Sequence, residues 1–497
     1  MTRRADRLVQ RLRLWTARLP LGELPAALAE RYGDRTAIEA ADRSWTYPAL
    51  AADVERSARS YAHLSGQTVL LRWSNRVELL IELFALSKAG AVVAPVKARV
   101  PDAEVQAIAQ ATGATAGVAE AGLWLPALDG VDARPEHADT ALLLCTSGTT
   151  GAPKAAALSH SGLQNPLLLA LPVGWRRGPR RRRDAVLAAL PLCHVMGLAV
   201  ALAALTAGVP WIHRGRFDAA ELLRLIETRR PNTFVGVPTM YADLEREGAY
   251  ERDLSSIQLW ISSADAMPTE RARRFQAMGA AAVVAGRSIG WAVFLDTYGM
   301  VELSGPAGVR VLPPVPLGVP IPYRARPGLA VRAVGADGRP VRGGAEGELQ
   351  FRGPGVMSGY RGRDDGLQQG WLPTGDHGRV FPGDLFVLSG RDHDRLKVGG
   401  FSVFPAEVEA VLDAAPGVRE VAVVGLPDPR LGQRLVALVV AHTGFSAEGF
   451  AAWAEERLAG YRRPREVLVV DALPRGRHGK LDRGAATRIA EAGFPPG

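Results

Sequence analysis

Thr146-Ser147-Gly148-Thr149-Thr150-Gly151-Ala152-Pro153-Lys154 packs four hydroxyl side chains, two glycines and a closing lysine into nine residues. Glycines free the backbone to wrap a ligand and turn its N–H groups inward. The hydroxyls add donors and Lys154 adds a compact positive charge, a combination suited to a polyphosphate. The stretch is not the nucleotide loop with four residues between its glycines followed by Lys-Ser/Thr. Gly148 and Gly151 enclose only two residues, and Pro153-Lys154-Ala155 follows.

Lysine usage marks a second set of candidates. Lysine occurs only at 88, 97, 154, 397 and 480, five of 60 basic residues, which leaves 55 arginines. Where the chain keeps lysine, a point charge can do what a planar guanidinium cannot. Lys154 closes the loop above. Lys480 lies in Gly476-Arg477-His478-Gly479-Lys480-Leu481-Asp482, and Lys397 precedes Val398-Gly399-Gly400. Lys97 reads as an ordinary surface charge.

These residues need a scaffold. The apolar run 141–145 reads as a buried strand delivering the hydroxyl-rich loop. Strand-like segments at 67–73, 91–95, 185–190, 209–213, 233–237 and 257–262 alternate with helical spacing at 77–91, 105–112, 197–207 and 219–229. Such alternation implies parallel sheet with crossover helices. From about 318 the texture turns to short strands punctuated by Gly and Pro, as at 329–334 and 346–352, which reads as a small barrel or antiparallel sheet. After Gly390 a compact unit follows: helix 405–414, strands 418–424 and 435–440, helix 447–458 and strand 466–470. The fold expected is α/β, with an α+β C-terminal part: a large N-terminal domain over 1–390 and a small mobile domain over 391–497.

Composition narrows the class. The chain has 497 residues, 47% hydrophobic and 22% charged, enough for a large core in more than one domain. No apolar run reaches the roughly 18 residues of a membrane helix, and Arg7, Arg11, Arg13 and Arg18 interrupt any signal-peptide core. Two cysteines, Cys145 and Cys193, do not make a disulfide framework and fit a reducing cytoplasm. The net charge of +9 and the arginines between 176 and 183 lack interleaved aromatics and any nucleic-acid module, so that segment reads as a solvated loop. No nucleic-acid partner and no membrane span are expected.

Taken together, the motifs resemble those of the adenylate-forming enzyme superfamily of acyl- and aryl-CoA synthetases, peptide-synthetase adenylation domains and luciferases. The resemblance runs from about 44 to 483. Thr146–Lys154 matches its phosphate loop, Pro191-Leu192-Cys193-His194 its Pro-x-x-His segment, and Tyr298-Gly299-Met300-Val301-Glu302 its Tyr-Gly-x-Thr-Glu motif. Thr374-Gly375-Asp376 matches Thr-Gly-Asp, 390–400 the hinge, and Gly479-Lys480 the C-terminal lysine loop.

The resemblance implies ATP, Mg²⁺ and CoA as reaction components. The 146–154 loop would clamp the β- and γ-phosphates, and Glu302 would hold Mg²⁺. Asp376 would accept the ribose hydroxyls, with Tyr298 and Arg391 beside it. Lys480 would bridge the attacking carboxylate and the α-phosphate. The small domain would then rotate about His393, carrying Lys480 out and Lys397, Gly399 and Gly400 in toward the thiol. The acyl pocket would draw on His194, Val235, Gly236, Ser262, Ser263 and Gly290, within 235–239, 262–267 and 286–295. Val301 replaces the motif's hydroxyl residue, which removes a hydrogen bond worth roughly 1 kcal/mol. His393 stands where Asp or Lys is usual, and Ala155 replaces a glycine. No Asp anchors an α-amino group, which favours a fatty or aromatic acid. Two functions stay open: an acid–CoA ligase, or an adenylating ligase with a separate acceptor, either a free-standing carrier protein or nitrite acting on an aryl amine.

Overall fold

In the computed structural model, described residues are 19–120, 122–124, 139–147, 153–164, 184–265, 267–284, 287–314, 321–364, 366–391, 394–399, 401–476 and 480–494. Gly148, Thr149, Thr150, Gly151, His393, Gly400 and the arginines at 176–183 lie outside them.

Apolar runs without alternation become the central parallel strands, because helices cover both faces. Thr36–Glu39, Trp211–His213, Val186–Ala188, Thr233–Gly236, Leu259–Ser262 and Val293–Met300 lie side by side and parallel. Helix Val195–Ala207, apolar all round, packs on them and buries eight residues. Helix Ala219–Arg229 shows the local logic. Asp218 caps it by accepting from the Glu221 N–H at 2.9 Å, and Leu222, Leu223, Leu225 and Ile226 form its buried face.

The short strands expected after 318 do not close a barrel. Tyr323–Ala325, Leu385–Arg391, Leu372–Phe381, Glu346–Arg352 and Ala330–Val334 continue the same sheet, antiparallel, beyond Gly305–Leu312 and Val293–Met300. The result is one 13-stranded sheet whose parallel half meets its antiparallel half at Val293–Met300. A six-stranded sheet carries Thr68–Trp73, Val92–Lys97, Thr140–Ser147 and Pro153–Ser159. One core joins the two sheets: Leu142, Leu144 and Leu158 pack in the same cluster as Leu303, Phe351 and Phe386.

The chain then leaves the large domain for a five-stranded sheet of its own. Val418–Asp428 pairs antiparallel with Gly432–Ala441, which pairs parallel with Glu466–Val469. Alternation splits these strands between two cores. Val423, Leu435, Ala437 and Val439 face helices Pro405–Leu412 and Ala447–Arg457, while Ala422, Val424, Val436 and Leu438 face helix Arg483–Gly493.

Candidate active site

Thr146 and Lys154 are cross-strand partners, as are Ser147 and Pro153, so the hydroxyl-rich loop is the turn of an antiparallel hairpin. Its glycine tip, 148–152, lies outside the described residues. A crossing segment pins the lysine strand: Ala157 N–H donates to Gly359, Ser358 to Ala157 and Arg361 to Ala155, at 2.8–2.9 Å. This places the Tyr360 ring under Lys154, with Nζ 5.1 Å from the ring centroid. The Tyr360 hydroxyl donates to Glu302 Oε1 at 2.7 Å. Lys154 and Glu302, 148 positions apart in the chain, are therefore joined through one tyrosine that the motif reading missed. A single aromatic between Gly359 and Arg361 carries no signature of its own; only the fold shows its place.

Glu302 is 5% exposed. It sits in a one-turn 3₁₀ helix, Val301–Leu303, that ends at Ser304 with φ 58°. Among the described residues no group of three His, Cys, Asp or Glu could hold a metal. A lone buried carboxylate beside a phosphate loop fits Mg²⁺, which takes most of its ligands from phosphates and water.

At the other end, the Tyr298 hydroxyl donates to Asp376 Oδ2 at 2.7 Å, and Arg391 Nε to Asp376 Oδ1 at 3.1 Å. Asp376 and Arg391 face each other across paired strands, and Thr374 Oγ1 accepts from the Asp376 N–H. Tyr298 lies against Phe351, ring centroids 5.8 Å apart, with Phe386 edge-on at 5.5 Å. Burial and the Asp376 carboxylate push its hydroxyl well above the usual phenol range, so it stays a donor. Each Asp376 oxygen keeps a second lone pair for another hydroxyl. Gly299 turns the strand here, where a Cβ would lie 2.2 Å from the Gly305 carbonyl.

Val235, Gly236, Ser262 and Ser263 cluster at the C-terminal ends of adjacent parallel strands, where open α/β sheets bind ligands. Ala188, Leu190, Val200 and Val235, with Met196, Val237, Met240 and Ile261 against them, make an aliphatic, methionine-bearing wall. His194 stands exposed at the N-terminal end of helix Val195–Ala207, and Asn75 clamps the preceding loop through Leu190 and Leu192. Gly290 stands apart from this group. It is exposed just after a separate two-stranded ribbon, Ala282–Val284 with Arg287–Ile289, while Phe294 is wholly buried in the core. Burial lifts the Cys145 thiol to about 12 and also raises Cys193, which Lys97 partly offsets. Neither is a thiolate at neutral pH.

In the small domain Lys480 is exposed at the end of a hairpin closed by Asp482 N–H to Pro474 at 2.9 Å and Gly476 N–H to Lys480 at 2.8 Å. Arg483 anchors that hairpin, gripping Glu409 at 2.7 and 2.9 Å. It also interacts electrostatically with Asp265 of the large domain. Lys397 and Gly399 occupy a different edge, the Lys397 N–H donating to Gln433 and that of Gly399 to Leu431 at 2.7 Å. A cavity of about 210 Å³ opens beside them, lined by Gly399, Phe401, Arg434, Tyr461, Arg463 and Arg465. The Phe401 and Tyr461 rings stack at 4.4 Å.

Between the domains lies Asp413, its carboxyl lifted from 3.8 to about 7. Burial is the chief cause. Arg271 and Arg274 pull the value down, and Glu270 and Glu420 push it up. The folded protein thus keeps a proton that the unfolded chain releases near pH 4, and this group's contribution to stability falls as pH rises toward 7. Asp413→Asn is expected to raise the Tm at pH 8 by several degrees and to match wild type at pH 4. Thermal melts at both pH values check it; equal offsets would remove Asp413 from the account.

Sequence comparison agrees with this geometry. The profile of the AMP-binding enzyme family matches residues 26–137 and 122–361, and that of its C-terminal domain residues 407–480. The chain belongs to the AMP-binding enzyme family. Feruloyl-CoA synthase of an Amycolatopsis species is 32% identical over 501 residues, 94% of this chain and 98% of that protein. Indoleacetate–CoA ligase of Aromatoleum aromaticum is 31% identical, with 90% and 93% covered. Among solved structures, apo MatB from Rhodopseudomonas palustris superposes with a TM-score of 0.77 at 25% identity, covering 96% of this chain and 100% of its own. O-Succinylbenzoate CoA synthetase from Bacillus subtilis, complexed with its acyl-adenylate intermediate, superposes at 0.73 with 25% identity, covering 94% and 98%. The chain is an adenylate-forming enzyme with a large N-terminal and a small C-terminal domain. No helix among the described residues is long and apolar enough to cross a membrane.

Proposed function

We propose that this AMP-binding enzyme is an ATP-dependent carboxylic acid–CoA ligase acting on an apolar fatty or aromatic acid. The Lys154–Tyr360–Glu302 group and the Tyr298–Asp376–Arg391 group form the two ends of a nucleotide cradle. Lys154 draws charge from the β- and γ-phosphates as pyrophosphate leaves. Glu302 would hold Mg²⁺, which when bound would supply charge neutralisation at the phosphate oxygens. Asp376 fixes the ribose, so the α-phosphate stays in line with the incoming carboxylate. Lys480 neutralises the charge developing between carboxylate and phosphate. The aliphatic wall around Val235 excludes water from the acyl chain and offers no charge to a polar substrate. Free Cys145 and Cys193 agree with the cytoplasm.

The cavity beside Gly399 carries the choice of acceptor. Three arginines and a stacked aromatic pair suit the phosphates and base of CoA's nucleotide end, and neither nitrite nor a protein needs such a pocket. Gly399, at φ 58°, turns the chain at its rim, where a thiol arm would pass. Arg465 is exposed, so truncating it leaves the packing intact. Arg465→Ala is expected to raise the KM for CoA by roughly tenfold, the loss of one charge-assisted contact, and to leave the KM for ATP unchanged. Steady-state assays with varied CoA check this. An unchanged KM for CoA would remove this cavity from the CoA site, and wild-type protein with no CoA-dependent turnover would favour a carrier protein or nitrite instead. Pyrophosphate release over a panel of fatty and aromatic acids then assigns the substrate class.

A further inference from the structure

The face that brings the lysine hairpin to the large domain is held by a chain of charges outside the nucleotide cradle. Arg271, on helix Thr269–Met278, is 3% exposed and pairs with Glu245 at 2.8 Å. Arg274 pairs with the same carboxylate at 2.8 Å. Two guanidiniums thus share one carboxylate of the large domain, so a further negative charge against the buried Arg271 is favoured. The small domain brings further acidic groups to this place: Asp413 lies near both arginines, and Glu420, on strand Val418–Asp428, approaches Arg271 at 3.6 Å. The other oxygen of Glu420 accepts from Arg475 at 2.6 Å, and Arg475 sits in the 474–482 hairpin that carries Lys480, bridged to Leu481. Helix Thr269–Met278 follows directly on the Ser262–Met267 segment of the acyl site.

We propose that Arg271–Glu420–Arg475 is an interdomain latch, with Glu420 a positioning residue that selects the orientation in which Lys480 faces the acyl site. The proposal rests on the reading of Lys480 as the adenylating lysine. A contact made in only one of two domain orientations shifts their populations by its own free energy and does nothing to the chemistry within either. Glu420 therefore favours the first half-reaction and opposes the second, which requires the hairpin to leave. The bridge is built to break. The arm that parts as the small domain turns is the 3.6 Å Arg271–Glu420 contact, while Arg475 moves with Glu420 and keeps its carboxylate paired.

Glu420→Gln keeps the shape and removes the charge. The expected result is a roughly tenfold lower kcat for acid-dependent pyrophosphate release, the scale of one lost partly buried charge pair. The KM values for ATP and acid stay unchanged, and thioester formation from supplied acyl-adenylate runs at the wild-type rate or faster. The double variant Glu420→Arg with Arg475→Glu preserves the pair inside the small domain but sets like charges against Arg271, and it too is expected to stay slow. Equal losses in both half-reactions, or recovery in the double variant, would overturn the latch. Hydrogen–deuterium exchange supplies a readout independent of catalysis. Without substrates, Glu420→Gln is expected to speed exchange across helix Thr269–Met278, and unchanged exchange would overturn the latch as well. Faster exchange in the variant, together with wild-type protein that releases no pyrophosphate across the acid panel, would uphold the interdomain contact and overturn the ligase reading on which the role of Lys480 rests.

Discussion

Lys480→Ala is expected to lose acid-dependent pyrophosphate release by roughly 10²- to 10³-fold, the scale of a charge that acts in the transition state. Thioester formation from a supplied acyl-adenylate is expected to survive, because in the proposed function Lys480 serves only the step that makes the anhydride. The side chain is exposed on a hairpin held by Arg475 and Arg483, so its truncation leaves the fold intact. Lys480→Arg is the sharper comparison. In a chain that uses arginine for nearly every positive charge, a retained lysine implies a site too narrow for a guanidinium. Recovery of more than about half the activity in the arginine variant would remove that inference. Measuring the two half-reactions separately decides both points.

Glu302→Gln is expected to lower adenylation by roughly 10²-fold or more, since on the proposed function several kcal/mol of charge stabilisation pass through the metal that Glu302 would hold. A glutamine oxygen can still accept the Tyr360 hydroxyl, so the contact that ties Glu302 to the lysine strand survives. The variant is expected to melt near the wild-type temperature and to need a much higher Mg²⁺ concentration for half-maximal rate. A normal Mg²⁺ dependence with low activity would make Glu302 a structural acid and place the metal elsewhere.

The side-chain groups of the proposed nucleotide cradle were legible in the sequence where their chemistry is concentrated in short runs. Thr146–Lys154, Tyr298–Glu302 and Thr374–Asp376 each bring several functional groups within a few residues, and local order suffices to recognise them. The parallel half of the fold was legible for a similar reason: a strand covered on both faces writes itself as an unbroken apolar run. Tyr360, the Phe401–Tyr461 cavity and the Arg271–Glu420–Arg475 chain were not legible. Their members lie far apart in the chain, and each is an unremarkable residue type until the fold brings it to its partner. The short strands after 318 could not reveal that they extend an existing sheet, because hydrogen bonding across an edge leaves no periodic trace. Gly290 shows the reverse case. Small residues near bulky ones suggested a pocket lining, whereas the structure places Gly290 exposed just after a separate ribbon.

The central claim is that a carboxylate attacks the α-phosphate and that CoA then displaces AMP from the acyl group. Supplying an acid labelled with oxygen-18 in both carboxyl oxygens follows every bond in that sequence. The attacking oxygen stays on phosphorus when the thiol cleaves the anhydride, and the other remains in the thioester carbonyl. Mass spectrometry of the products is expected to find one label in AMP, one in the acyl-CoA and none in pyrophosphate. Unlabelled AMP, or label in inorganic phosphate beside ADP, would contradict the account.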